Sequence, residues 1–308
     1  MKKLFFPITL LLLLVISACS NNTTQDESKK DANQEKNPET ITYESENGPI
    51  EVPADPQRVV VLSSFAGNVM SLGVNLVGVD DWSKMNPNFE EKLKGVEAVT
   101  DESLEKLIEL KPDLIIGLDN VKNVDKLKDI APTVVYTYGK VDYLTQHIEI
   151  GKLLNKEKEA QAWVDDFKQR AQATGEEIKA KIGEDATVSV IENWDKQLYV
   201  YGDNWGRGTE ILYQEMKLNM PEKVKETALK DGWYALSLEV LPEFAGDYVI
   251  FSKDSDTDNS FLETDTYKNI PAVKNNHVFE ANAKEFYFND PLTLELQLDF
   301  FKKSFLGN

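Results

Sequence analysis

Apolar residues along this chain gather into short β-branched runs separated by stretches with helical spacing. Arg58-Val59-Val60-Val61-Leu62 and Leu76-Val77-Gly78-Val79 are the first two runs; Asp113-Leu114-Ile115-Ile116 and Thr133-Val134-Val135-Tyr136 are the next two. Leu104 to Glu109 lies between them with the spacing of a helix face. Strands buried on both faces read as unbroken apolar runs, and their alternation with helices predicts a parallel α/β sheet. The second half repeats the style with Thr187-Val188-Ser189-Val190-Ile191, Tyr248-Val249-Ile250-Phe251 and His277-Val278-Phe279. Between the halves, Lys156 to Ile182 carries Ala160, Trp163, Val164, Phe167, Ala171 and Ile178 mostly three or four apart. That pattern predicts an amphipathic helix of about 40 Å, at about 1.5 Å per residue. Such a helix is longer than one lobe needs and is expected to act as a stiff spine permitting only modest closure. Gly175 is its weak point, costing ~1 kcal/mol relative to alanine.

A weak internal repeat supports two related lobes. Ser103-Leu104-Glu105-Lys106-Leu107 precedes Asp113-Leu114-Ile115-Ile116, and Ser237-Leu238-Glu239-Val240-Leu241 precedes Asp247-Tyr248-Val249-Ile250 at the same distance. Each copy reads as a short helix turning into a strand. The chain therefore divides into an N-terminal lobe over 48–142, interlobe helices over 143–183 and a C-terminal lobe over 184–308.

The first 47 residues follow other rules. Lys2 and Lys3 precede an almost unbroken apolar run from Leu4 to Ile16, and Ile16-Ser17-Ala18-Cys19 follows at once. The run falls short of the roughly 20 residues that span a bilayer, and its small-residue exit is that of a signal peptide over 1–18. Ending in cysteine, it has the form of a lipoprotein signal, with the Cys19 thiol diacylated as the new N-terminus. Two acyl chains suffice to hold a soluble domain at a membrane. Residues 19–47 are mostly Asn, Thr, Gln, Asp, Glu, Ser and Lys, and read as a flexible tether.

Cys19 is the chain's single cysteine, so no disulfide can form within it. The formal net charge of −19 argues against nucleic acid and against adhesion to anionic lipid. His147 and His277 are the only histidines and neither has a partner at metal-ligand spacing. No Gly-x-Ser-x-Gly, His-Glu-x-x-His or phosphate-cradling glycine loop is present, so the sequence offers no catalytic constellation and no metal centre.

What stands out is Tyr199-Val200-Tyr201-Gly202-Asp203-Asn204-Trp205-Gly206-Arg207-Gly208. Arg207 is one of three arginines, beside Arg58 and Arg170. Glycines free the backbone to present Trp205 as a flat apolar wall and Arg207 as a fork of donors for clustered oxygens. A turn with a core tryptophan and an ion-paired arginine accounts for the same residues, and the segment alone does not choose.

With this context the chain resembles the iron–hydroxamate siderophore-binding lipoproteins of ABC importers, of the ferrichrome and ferrioxamine type found in Gram-positive bacteria. The resemblance spans nearly the whole mature chain: the Cys19 signal, Val59 to Gly78, Lys111 to Ile116, Ala131 to Val135, Leu198 to Gly208 and Tyr287-Phe288-Asn289-Asp290-Pro291. It implies two Rossmann-like lobes joined by a long rigid helix, the class III periplasmic-binding-protein type, working as a monomer without enzymatic activity. It also implies that Trp205, Arg207 and Tyr199 face the ligand from the C-lobe and Tyr143 from the N-lobe side. Tyr287 stands where relatives often carry tryptophan. Phe65 and Trp82 are further cleft aromatics by position, or ordinary core and surface residues. Glu105 and Glu239, matched by the repeat, would dock onto arginines of the permease. The implied ligand is a ferric hydroxamate whose iron is held by the siderophore alone, with no cofactor. A neutral tris-hydroxamate suits one arginine among aromatics, whereas a tris-catecholate of charge about −3 would need several cations. Same-fold binding of a catecholate, haem or cobalamin stays open.

Overall fold

The computed structural model describes residues 39–307. The expected signal peptide, Cys19 and most of the expected tether lie outside the described residues. Ordered chain begins earlier than a tether to residue 47 allows: β1 (Thr40–Ser45) pairs antiparallel with β2 (Gly48–Pro53). The reason is legible in retrospect. Ile41 and Tyr43 alternate inward on one strand, Ile50 and Val52 on the other, and all four join the N-lobe core. Gly48 takes φ +102° directly after the two-residue connection Glu46-Asn47, a conformation that suits glycine.

The N-lobe sheet runs β5-β4-β3-β6-β7, every pair parallel, from β3 (Val59–Val61), β4 (Leu76–Val79), β5 (Glu97–Ala98), β6 (Leu114–Leu118) and β7 (Thr133–Tyr136). Each predicted strand is present, and Val59, Val60, Val61, Leu114, Ile115 and Ile116 are all fully buried. Helices cover both faces, as parallel sheets require. The C-lobe sheet runs β10-β9-β8-β11-β12, from β8 (Val188–Trp194), β9 (Gln197–Tyr201), β10 (Trp233–Leu236), β11 (Tyr248–Lys253) and β12 (Val278–Asn282). Here the all-parallel expectation needs correction. β8, β11 and β12 are parallel, but β9 returns antiparallel beside β8 and β10 antiparallel beside β9. Only the two-residue connection Asp195-Lys196 separates β8 from β9, and both its residues have positive φ. A parallel crossover needs a dozen residues or more, so the chain could only turn back.

The internal repeat has a structural counterpart. Asp113, just before β6, accepts from the backbone N–H of Arg58 at 2.9 Å and of Gln57 at 2.6 Å, at the entry to β3. Asp247, just before β11, accepts from the N–H of Thr187 at 2.8 Å, at the entry to β8. In both lobes the repeated aspartate ties together the starts of two adjacent parallel strands.

Helices Tyr143–Leu153 and Glu157–Ile182 join the lobes. The 26-residue second helix is the predicted spine, and Val164, Phe167, Ala171 and Ile178 seat it on the C-lobe core. Gly175 is a contact point rather than a weak one. A Cβ there would stand 2.3 Å from the Met216 carbonyl oxygen, so glycine allows the two backbones to touch. The helix Pro291–Phe301 also spans the lobes: Leu292 packs on the N-lobe core, whereas Leu294, Leu298 and Phe301 belong to the C-lobe core.

Candidate functional site

The two lobes meet across the carboxyl ends of their parallel strands, where open α/β sheets place ligands. Trp82 follows β4, Tyr138 follows β7, Trp194 ends β8, Trp205 follows β9 and Tyr287 lies beyond β12. Phe286-Tyr287-Phe288 is positioned by its neighbours. Phe286 is buried in the C-lobe core and Phe288 in the N-lobe core, where it stacks on Phe89 at 5.7 Å. Tyr287 between them is left at the junction. Trp82 lies 5.1 Å from Tyr287 and 5.7 Å from Trp194, ring centre to ring centre, so one N-lobe aromatic meets two from the C-lobe. On the other side Tyr138 meets Trp205 edge-on at 6.1 Å.

Arg207 lies between these groups. It is the middle of three consecutive left-handed residues, with φ +69° at Gly206, +58° at Arg207 and +81° at Gly208. Both glycines are also pinned by contact. A Cβ on Gly206 would stand 2.3 Å from the Tyr287 carbonyl oxygen, and one on Gly208 would stand 2.6 Å from the Phe301 ring. The Arg207 N–H donates to the Phe286 carbonyl at 2.7 Å, tying the turn to the Phe286–Phe288 segment. The Trp-Gly-Arg-Gly motif is therefore a left-handed turn pressed against that segment. The expectation of an outward arginine is corrected: its side chain is only 11% exposed. The guanidinium lies 4.6 Å from the Tyr201 ring centre and 4.7 Å from that of Tyr287, distances at which ring faces attract a cation. Its Nε donates to Glu192 Oε2 at 2.6 Å and its Nη1 to the Trp205 carbonyl at 3.1 Å. Glu192, on β8, is fully buried and also accepts from the Tyr201 hydroxyl at 2.8 Å. Burial opposes charge on Arg207 most strongly, yet Glu192, Tyr201 and Tyr287 together hold the arginine pKa above its ordinary value. Burial, and then Glu192, push the Tyr287 phenol up. Glu192 Oε1 and the Tyr287 hydroxyl are buried without a hydrogen-bond partner among the described residues.

Of the expected ligand residues, Trp82, Trp205, Arg207 and Tyr287 are brought together here. Tyr199 lies one step away, stacked 6.5 Å from Tyr201 and edge-on to Trp233 at 5.5 Å. Tyr143 and Phe65 are not part of this group. Both are buried, Phe65 against Tyr136 at 5.6 Å and Tyr143 donating to Glu215 at 3.2 Å. With Tyr138 and Asn204 they line a polar cavity of about 860 Å³ bordered by the spine helix and the 203–217 segment. Tyr143 starts a helix whose apolar face had to be buried, which takes its ring into the C-lobe core. His147 is structural, as its lack of a ligand-spaced partner suggested: it is buried beside Asn68 at 3.3 Å, and burial lowers its pKa to about 4.

Sequence reasoning missed Glu192, Tyr201, Trp194, Trp233 and Tyr138. A signal existed for two of them. On a strand, Tyr201 shares the face of Tyr199, and Glu192 is a lone charge in the run Val188 to Asn193, every residue of which is buried. Among the described residues no group of three His, Cys, Asp or Glu is placed to hold a metal ion, and no helix is long and apolar enough to cross a membrane.

Two α/β lobes joined by a long helix, with aromatics gathered where they meet, have the form of a solute-binding protein. The periplasmic binding protein family matches residues 59–285, and the chain belongs to that family. It is 38% identical to the iron(3+)-hydroxamate-binding protein FhuD of Bacillus subtilis over 90% of each chain. It is also 38% identical to the iron(3+)-hydroxamate-binding protein YxeB of that organism, covering 88% of this chain and 87% of the relative. Among solved structures, that of FhuD2 from Staphylococcus aureus with bound ferrioxamine B superposes with a TM-score of 0.78 at 36% identity. The match covers 82% of this chain and 99% of that one.

Proposed function

We propose that this protein binds a ferric hydroxamate siderophore between its lobes and delivers it to the permease of an ABC importer driven by its ATPase. The observation that carries the reading is the Arg207–Glu192 pair set between Tyr201 and Tyr287 beneath a tryptophan rim. A paired arginine brings hydrogen-bond donors without net charge, and flat rings suit the apolar linkers of a neutral chelate. The siderophore supplies every iron ligand. Names of the relatives support the class, since two are iron(3+)-hydroxamate-binding proteins. Two others are called lipoproteins, which supports an anchor on Cys19 at the extracytoplasmic face of the membrane. Glu105 and Glu239, both exposed, would serve as paired docking points on the permease, and the matching roles of Asp113 and Asp247 support their equivalence.

Tryptophan fluorescence tests the ligand. Ferric ferrioxamine B and ferrichrome should quench with submicromolar affinity and their iron-free forms far more weakly. Trp205→Ala and Arg207→Ala should each weaken binding. Tight binding of a ferric catecholate alone, or unchanged affinity in both variants, would overturn the assignment.

A further inference from the structure

Arg207 is the one arginine in the cleft, and its charge does not reach the ligand surface unopposed. Its Nε lies 2.6 Å from Glu192 Oε2, and Glu192 is fully buried on β8, behind the arginine. Tyr201 donates to the same carboxylate oxygen at 2.8 Å, which fixes the acid independently of Arg207. Three lysines at or just beyond the carboxyl ends of β7, β11 and β12 are ion-paired as well. Lys284 pairs with Asp254 and Asp256, Lys253 with Glu280 at 2.8 Å, and Lys140 with Glu46 at 3.1 Å. An isolated buried arginine would favour anionic ligands. A buried pair presents the same donors with no net charge, in a protein whose overall charge is already −19.

We propose that Glu192 is a specificity-determining residue: by cancelling the Arg207 charge from behind, it makes the cleft accept ferric chelates of zero or positive charge and reject anionic ones. This rests on the siderophore reading and adds the charge filter to it. Glu192 does not touch the ligand in this account. It acts through Arg207, holding the guanidinium between Tyr201 and Tyr287 and setting the potential felt above it.

The test is a charge series on one chelate core. Ferric ferrioxamine B carries a terminal ammonium; acetylating that amine makes the complex neutral, and succinylating it makes it anionic. Wild-type protein should bind the three in that order of decreasing affinity. Glu192→Gln keeps the shape and a hydrogen-bond acceptor but leaves Arg207 uncompensated. A unit charge acting through a partly wet protein at about 8 Å shifts the ratio of cationic to anionic affinity by about tenfold or more. E192Q should therefore flatten or reverse the order, and the double variant E192Q/R207Q, neutral again, should restore it. A merely structural role for Glu192 predicts that E192Q weakens all three chelates by one common factor, and that result would overturn the inference. So would a wild-type protein indifferent to the charge. Failure of wild-type protein to bind any of the three would instead refute the siderophore reading itself.

Discussion

Replacing Gly206 by alanine isolates the feature that builds the cleft floor. Gly206 has φ +69°, and its missing Cβ would lie 2.3 Å from the Tyr287 carbonyl oxygen and 3.1 Å from the carbon. The backbone term is about 1–2 kcal/mol for a non-glycine residue in the left-handed region. Relieving a contact that close requires moving main chain, which adds about 1–3 kcal/mol by analogy with overpacked cores. Gly73 supplies the control, because it has φ +73° with nothing within 4 Å of its would-be Cβ. G73A should cost the backbone term alone, and G206A about 2–5 kcal/mol. At roughly 2–4 °C per kcal/mol for a domain of this size, G206A should lower Tm by about 4–20 °C. Because the displaced carbonyl belongs to Tyr287, G206A should also weaken ligand binding, whereas G73A should not. Denaturant titrations of both variants, read at 25 °C, check the difference. If G206A costs no more than G73A, the turn is not pressed against Tyr287 and the explanation of the motif fails.

Gly175→Ala should destabilise by up to about 2 kcal/mol net, because its Cβ would meet Met216 main chain at 2.3 Å and the overpacking cost of about 1–3 kcal/mol exceeds the ~1 kcal/mol of alanine's better helix propensity; thermal melts decide. Asp113→Ala and Asp247→Ala should each cost about 1–2 kcal/mol through loss of the strand-entry hydrogen bonds, and denaturant titrations of the single and double variants should show additive costs. Acid should act through His147 and Asp290 in opposite senses. The His147 pKa is lowered to about 4 by burial, so its contribution is complete above the unfolded value near 6.5 and about 3 kcal/mol is lost as pH falls from there towards 4. Asp290, buried against Gly67, is raised to about 6, so its burial penalty is present above pH 6 and is relieved as pH falls towards 3.8. Stability measured at pH 7, 5.5 and 4 should therefore fall less steeply in His147→Gln, and more steeply in Asp290→Asn, than in the wild type.

Much of the architecture was legible because its causes are local. The strands Val59–Val61, Leu114–Leu118 and Val188–Trp194 announce themselves by continuous apolar runs, and the spine by three-and-four spacing. The antiparallel strands β9 and β10 were not, because Tyr199 reads as a ligand residue and Trp233 to Leu236 is an edge strand with three of its four residues exposed. The hairpin over Thr40–Pro53 was hidden by its polar outward face. At the candidate site, the rare arginine and its glycines marked the turn that lies between the aromatic groups. Its geometry could not be read, because the fate of Arg207 depends on Glu192, fifteen residues earlier, and on Tyr287, eighty residues later. Long-range pairs of that kind leave no periodic trace. Phe65 and Tyr143 lie apart from the Arg207 group, each with its ring packed in a core while lining the polar cavity.

The central claim is most directly tested by locating iron. Crystals grown with ferric ferrioxamine B should give a single anomalous iron peak in the cleft in front of Arg207, flanked by Trp82, Trp194 and Tyr287 on one side and by Tyr138 and Trp205 on the other. A peak in the polar cavity beside Tyr143 and Glu215, or on surface carboxylates with the cleft empty, would contradict the account.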